Sequence, residues 1–527
     1  MKDVVLISNG DFRDQVGVTC WPKQEQTLQM VEASFAELGV HTSRGHAFIP
    51  EKRHGFITTQ AEACRIFSRL PRDVPIIVVL SSWVWAHHLA SSLKLHHGPI
   101  LLIANFDGTW PGLVSLLNHS ATFDRLCIPH SKAWTNSFVK DARFKKMLEN
   151  WTVTGKIDYP TEHLTSLDRL TIPESARVFG NNLAASILNE KRILGQMDPG
   201  CMGMLNAVMS PDKLCDVGMP VEYLSQSDLL SEMALITQEE ASSTFDWLMA
   251  RGAHFYFGDD GNLELTKTQV LEQMKMYHSA GRIYERYGLS AIGIPYQYGL
   301  VRATSASDLP EGMLNNSERP PIKSLKGGAS IGDARPIVHF NEGDIGSAVP
   351  QVLMNNILAR KGLPQETTLH DVRWGTECSG RFTWALEISG GAPPAHFGGW
   401  EHAHIFRQTP MYFPKGGGTC TGVSKSGIIT WARFYERLGD IGFDIGTGEI
   451  VELPADQLEE IRHATNKEWP IATACFPGYG RDELMSTHRS NHITICYGNI
   501  ARELAATASA LGMPVNVVGD ARGLFQK

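Results

Sequence analysis

Three residues in the carboxyl-terminal third are of types that hold divalent cations and move protons, and each stands at the end of an apolar run. Glu342 follows Pro336–Phe340, Asp371 sits in Leu369-His370-Asp371-Val372-Arg373, and His492 opens the run His492–Cys496. Two carboxylates and one imidazole make an oxygen-rich, partly open donor set. It suits Mn²⁺ or Mg²⁺ and not the closed sulfur cage of structural zinc. Each residue also has a plainer reading. Glu342 and Asp344 would be acids at a helix N-terminus, Asp371 would pair with Arg373 or Arg381, and His492 would be a satisfied core histidine. Spacing alone leaves these readings open.

The elements that must position these residues follow from the hydrophobic pattern. A short strand at Val4–Ile7 precedes Leu28, Val31, Phe35 and Leu38, which recur at helical spacing up to Gly39. A helix over 58–70, a strand over 75–80 and a strand over 99–104 follow, the last running into Asn105-Phe106-Asp107-Gly108-Thr109. Such alternation predicts a parallel sheet with helices on both faces, which binds ligands beyond the carboxyl ends of its strands. A second α/β section carries polar helices around 240–249 and 265–287 and ends in turn-rich residues near 335. After Glu342 comes a helix bearing Ile345, Val349, Val352, Leu353 and Ile357, stopping at Gly362. Short β-like runs at 385–389, 428–434 and 441–453 follow, then a strand over 492–496, a helix over 500–511 and a strand over 514–518. The fold class read from this is α/β: two Rossmann-like, doubly wound domains over 1–165 and 166–335, then a β-rich domain over 336–527.

Composition narrows the class further. A chain of 527 residues is too long for one core, and 43% hydrophobic with 20% charged residues is ordinary for a globular protein. A net charge of −8 without a long basic run argues against a nucleic-acid partner. The longest apolar stretches, Ile76–Leu80 and Leu101–Ala104, are strand-sized and predict no membrane span. The amino terminus has no signal-peptide pattern. Nine scattered cysteines without a CxxC suggest reduced thiols, so a cytoplasmic protein is expected. No GxGxxG follows the first strand, so no nicotinamide is implied.

The wording around the candidate residues resembles L-fucose isomerase, in the broader family that also holds L-arabinose isomerase. It is carried by Asn341-Glu342-Gly343-Asp344, His370-Asp371-Val372-Arg373, Asn491-His492 with Tyr497-Gly498, and Met513-Pro514-Val515-Asn516. Gln24-Glu25-Gln26-Thr27, Asn105–Gly112, Phe413 with Gly416-Gly417-Gly418, Val451–Pro454 and Trp469-Pro470 fit as well. The resemblance implies an aldose–ketose isomerase for an aldopentose or 6-deoxyhexose, working through an enediol. It implies Mn²⁺, or another divalent cation such as Mg²⁺ or Co²⁺, held by Glu342, Asp371 and His492 at the domain junction. Glu342 and Asp371 become the acid–base pair. Gln297, Ser389, Thr419, Asn491 and Trp83 become sugar contacts, Trp83 as an aromatic floor. It also implies a homo-oligomer, trimer or hexamer, with the loop Asn105–Thr109 reaching a neighbour's pocket. The chain departs from the family in its shorter length, in Cys20-Trp21-Pro22-Lys23 where Arg-rich residues are usual, and in Thr419 where an aromatic follows the three glycines. Glu401-His402-Ala403-His404 reads as solvated or substrate-adjacent. A sugar-binding protein without turnover, or a metal-dependent epimerase or lyase acting on a sugar or sugar acid, stands as the alternative.

Overall fold

Five strands build the first sheet: β1 (Asp3–Ser8), β2 (His41–Arg44), β3 (Ile76–Leu80), β4 (Ile100–Asn105) and β5 (Ser131–Thr135). Their order is β2-β1-β3-β4-β5, every pair parallel. All residues of β3 and β4 are buried, because helices cover both faces and the strands need no polar alternation. The structure, a computed structural model, describes every residue except 110–111, 201, 297–298, 328–329, 332–334 and 526–527. The helix expected to end at Gly39 runs over Asp14–Glu37 and passes through Pro22. Its first half reads as non-helical in sequence because proline ordinarily stops a helix.

The middle of the chain holds a second, smaller parallel sheet. Here stand β6 (Leu164–Ser166), β7 (Leu194–Met197), β8 (Val221–Leu224), β9 (His254–Phe255) and β10 (Ala291–Gly293). Only β10-β7-β8 form the parallel sheet.

The last third contributes β11 (Thr367–Cys378), β12 (Arg381–Glu387), β13 (His404–Ile405), β14 (Gly427–Arg437), β15 (Asp440–Ile450), β16 (Ile471–Cys475), β17 (His492–Tyr497) and β18 (Val515–Val518). The sheet order is β14-β17-β11-β12-β16-β15-β18-β6, and β14 also pairs with β15 along its whole length. That extra pairing closes six strands into a ring, completed by a two-residue contact of β15 with β16. The β-rich region is thus a closed barrel with β18 and β6 as an extension. Pairing crosses both expected borders: β6 joins the last sheet at 164–166, and β13 pairs with β9 of the middle section.

The packing explains where a site can form. One apolar cluster joins the first sheet to the barrel through Val372, Trp384, Trp431 and Ile493. Another seats the helix Ile345–Lys361 between the barrel and the helix Ala501–Ala510. Helix 345–361 therefore presents its N-terminus, and the turn before it, to the barrel. The expected strand 336–340 is an irregular segment with a single bridge, Ile292 to His339. Among the described residues no helix is long and apolar enough to cross a membrane, and the eight described cysteines are free.

Candidate active site

Asp371 of β11 lies directly opposite His492, the first residue of β17, in an antiparallel register. Opposed residues share a face of the sheet, so a carboxylate and an imidazole meet there. Glu342 arrives from the turn Asn341–Gly343, with φ 58° and ψ 10°, followed by Gly343 at φ 69°. A left-handed glutamate costs about 1–2 kcal/mol, a strain that collects at functional sites. His492 Nε2 stands 3.4 Å from Asp371 Oδ1 and 3.5 Å from Glu342 Oε2. Nε2 is buried and makes no hydrogen bond among the described residues.

The other ring nitrogen is fixed. His492 donates through Nδ1 to Asp344 Oδ2 at 2.7 Å. Asp344 in turn accepts from Ser347 Oγ at 2.9 Å and from both terminal nitrogens of Arg433, the Nη2 contact at 3.1 Å. A carboxylate behind Nδ1 orients the ring and leaves Nε2 to face Glu342 and Asp371. Against the effect of burial, Arg433 and His492 hold the Asp344 carboxyl well below its usual range. Burial disfavours charge on His492, yet Asp344, Asp371 and Glu342 together hold its imidazolium well above the ordinary value. Burial lifts the Glu342 carboxyl, against the pull of His492.

This donor set fits a divalent cation in chemistry. Two carboxylates face the one orphaned imidazole nitrogen, and donors sharing an ion at about 2.0–2.2 Å stand at comparable mutual separations. An ion and a proton compete for that nitrogen's lone pair. Among the described residues no group of three or more His, Cys, Asp or Glu stands preformed in a metal-holding arrangement. The three side chains are drawn together as mutual partners.

The cluster floors a cleft whose wall includes Trp83, Ser389, Phe413 and Trp469, with Arg13 and Arg373 beside them. Ser389 Oγ is 2.8 Å from the Tyr296 hydroxyl, which stands 3.2 Å from Glu342 Oε1. Trp83 and Ser389 are therefore brought to the candidate triad. Asn491 is placed beneath it, donating to Asp371 Oδ1 at 3.0 Å. Thr419 is not at the cleft: its Oγ1 accepts from Thr421 and from the Phe406 amide, fully buried. It follows the three glycines into the interior, where the hydroxyl has one backbone and one side-chain partner. Gln297 lies outside the described residues. The plainer pairings for Asp371 do not form, since Arg373 approaches Glu387 and Arg381 pairs with Glu449. The loop Asn105–Thr109 packs on its own chain: Trp374 Nε1 donates to the Phe106 carbonyl at 3.2 Å.

Sequence reasoning missed Asp344 as the imidazole's partner, and it missed Arg13, Tyr296 and Tyr412. For Arg373 a signal existed, two residues beyond Asp371 on one strand. Arg13 and Tyr412 gave none, because they reach the cleft only through the fold.

A parallel α/β sheet is thus set against a closed barrel, with acids and an imidazole at the seam. Residues 402–518 match the family described as L-fucose isomerase, C-terminal domain. This stretch runs from just before β13 through β18 and contains His492, but neither Glu342 nor Asp371. The match makes residues 402–518 similar to that domain and supports a sugar isomerase; it does not extend to L-arabinose isomerase. No curated protein matches the chain.

Proposed function

We propose that this chain is a divalent-metal-dependent aldose–ketose isomerase. The observation that carries the reading is the buried His492 Nε2, set 3.4 and 3.5 Å from Asp371 and Glu342 and oriented from behind by Asp344. Glu342, Asp371 and His492 would hold Mn²⁺, or Mg²⁺ or Co²⁺ in its place. Such an ion supplies Lewis-acid stabilisation of negative charge on two neighbouring sugar oxygens.

The chain's own groups would do the rest. Glu342 takes the C2 proton of the aldose, and Asp371 is its partner in returning a proton at C1. The hydroxyl proton moves from O2 to O1, so atoms balance and no redox cofactor is required. Asn491 steadies Asp371, and Tyr296 steadies Glu342 while linking it to Ser389 at the cleft wall. Trp83 offers an apolar face to the sugar's carbon-bound hydrogens. The resemblance extends this reading to a cytoplasmic trimer or hexamer, which light scattering tests.

Activity should vanish in EDTA and return with Mn²⁺ better than with Zn²⁺. Turnover in D₂O should place deuterium at C1 of the ketose. Full activity in metal-stripped protein would end the reading. Tight sugar binding without conversion would give the non-catalytic alternative, and a product other than the ketose would give the epimerase or lyase.

A further inference from the structure

Three arginine–carboxylate pairs surround the site, and two of them are closed by hydrogen bonds. Arg433 grips Asp344 through both terminal nitrogens and also reaches Ser347 and the Asn206 carbonyl. Arg13 grips Asp11 through Nε at 2.9 Å and Nη2 at 2.5 Å, and gives Nη1 to the Tyr412 carbonyl at 3.3 Å. Arg373 is different. Its side chain is only 5% exposed, and it lines the cleft with Glu342 and Asp371. The nearest carboxylate oxygen, Glu387 Oε2, lies 3.4 Å from its Nε without a hydrogen bond; among the described residues Nε, Nη1 and that oxygen make no hydrogen bond.

The geometry around Arg373 explains why Glu387 does not close this pair. Glu387 is turned toward the loop beyond it, where its Oε1 accepts from Thr465 Oγ1 and from the Asn466 amide. The β11–β12 register slips between Val372 and Trp374, so Arg373 sits on a bulge. Bulges re-aim side chains beside active sites. A guanidinium carries five N–H donors, and buried donors in native proteins are otherwise nearly always paired. A buried arginine with Nε and Nη1 unpaired among the described residues, on the wall of a cleft, is set for an acceptor that arrives with the ligand. An oxyanion meets that need best, because it accepts in the planar, two-pronged geometry of the guanidinium, with charge-assisted bonds. A neutral hydroxyl accepts fewer and weaker bonds.

We propose that Arg373 is the substrate anchor, and that the substrate is an aldose carrying an anionic group, a carboxylate, phosphate or sulfonate, bound by this guanidinium. The word aldose rests on the isomerase reading; the anionic group does not. The proposal moves the substrate away from the neutral aldopentoses and 6-deoxyhexoses that the resemblance implies.

The test is equilibrium binding to the Mn²⁺-loaded protein of polyols that cannot isomerise: glucitol, gluconate, glucitol 6-phosphate and 6-deoxy-6-sulfoglucitol. Calorimetry on wild type should show at least one anionic member binding ~10- to ~100-fold tighter than glucitol, the scale of hydrogen bonds to a charged group. Which anion gains most identifies the source of the charge. Arg373→Met should erase the gain, weakening the anionic members at least ~10-fold more than glucitol, and Arg373→Lys should keep part of it. Equal binding of glucitol and all three anions by wild type would overturn the proposal, even if the Met variant failed to fold. So would a Met variant that weakened neutral and anionic members alike. If no aldose is converted but the anion gain still depends on Arg373, the isomerase reading falls and the anchor remains.

Discussion

The first sheet and the barrel are equally buried and opposite in content. The strands β3 and β4 bury Ile76 to Leu80 and Ile100 to Ala104 with hardly an atom that can titrate. The barrel strands bury Asp371, Arg373, Glu387, Arg433, Asp444 and His492. Apolar burial in the sheet stabilises by excluding water and asks for nothing else. Charge burial in the barrel depends on partners, and removing one partner of a closed pair is strongly destabilising. The amino-terminal sheet is a foundation, while the barrel carries titratable groups whose charge depends on their surroundings.

The largest expected effect comes from removing one half of a closed charge pair. Asp344→Ala leaves Arg433 buried without its carboxylate and His492 without its guide, and should cost about 3–5 kcal/mol of stability. Urea unfolding measures it, and a loss below about 1 kcal/mol would refute this view of the barrel. Leu102→Ala, at a fully buried position of β4, should cost about 2–5 kcal/mol. The turnover of its folded fraction should match wild type; a selective loss of turnover would show the sheet to be more than a foundation. Glu342→Gln should reverse that pattern, with stability near wild type and kcat lower by ~10²-fold, the scale of a lost general base. Glu401→Gln, on the exposed side of the barrel region, should leave kcat unchanged, and steady-state kinetics on both variants checks the contrast.

The smallest effect separates two buried aspartates of the barrel region. Asp344 has an arginine in hydrogen-bonding contact, whereas Asp444 has the Tyr435 hydroxyl at 3.2 Å and the Asn516 amide at 2.9 Å. Burial pushes the Asp444 carboxyl up to about 6, against the pull of Asn516 and Arg489. With an unfolded value near ~3.9, the native state binds more protons than the unfolded chain between about 4 and 6. Stability should therefore fall as pH rises through that window, and Asp444→Asn should flatten the slope. Identical pH slopes in urea midpoints for wild type and variant would remove Asp444 from the account.

Much of this architecture is legible in the sequence, and the reason differs by element. β3 and β4 read directly as apolar runs because both faces are covered. The helix 345–361 reads from its spacing and its stop at Gly362, and β17, the helix 501–510 and β18 fall within about a residue of their pattern. Barrel closure is not legible, because it depends on β14 meeting β15. Their tight connection places Leu438 at φ 54° before Gly439 at φ 87°, and a leucine there hides the usual turn signal. The three candidate ligands could be singled out by residue type and wording. Asp344 and Tyr296 could not, because their roles exist only through neighbours brought from elsewhere in the chain.

The pairing of β6 with β18 has a consequence for how the protein is made. Ser166 lies opposite Asn516, about 350 residues further along the chain. The helix Glu174–Glu190, which begins shortly after β6, packs against the helix Ala501–Ala510 through Gly180, whose Cα abuts the backbone of Ala506. At about 5–20 residues per second of synthesis, residues 164–190 emerge roughly 20–70 s before the strand and helix they need. The ring containing His492 likewise waits for nearly the last residues. During that interval an unpaired edge and an uncovered apolar helix face are exposed on a half-made chain, while the first sheet can already be folded. Yield in a cell is therefore governed by what shields residues 164–190 from other nascent chains, and a circular permutation that begins near residue 160 would shorten neither that wait nor its hazard.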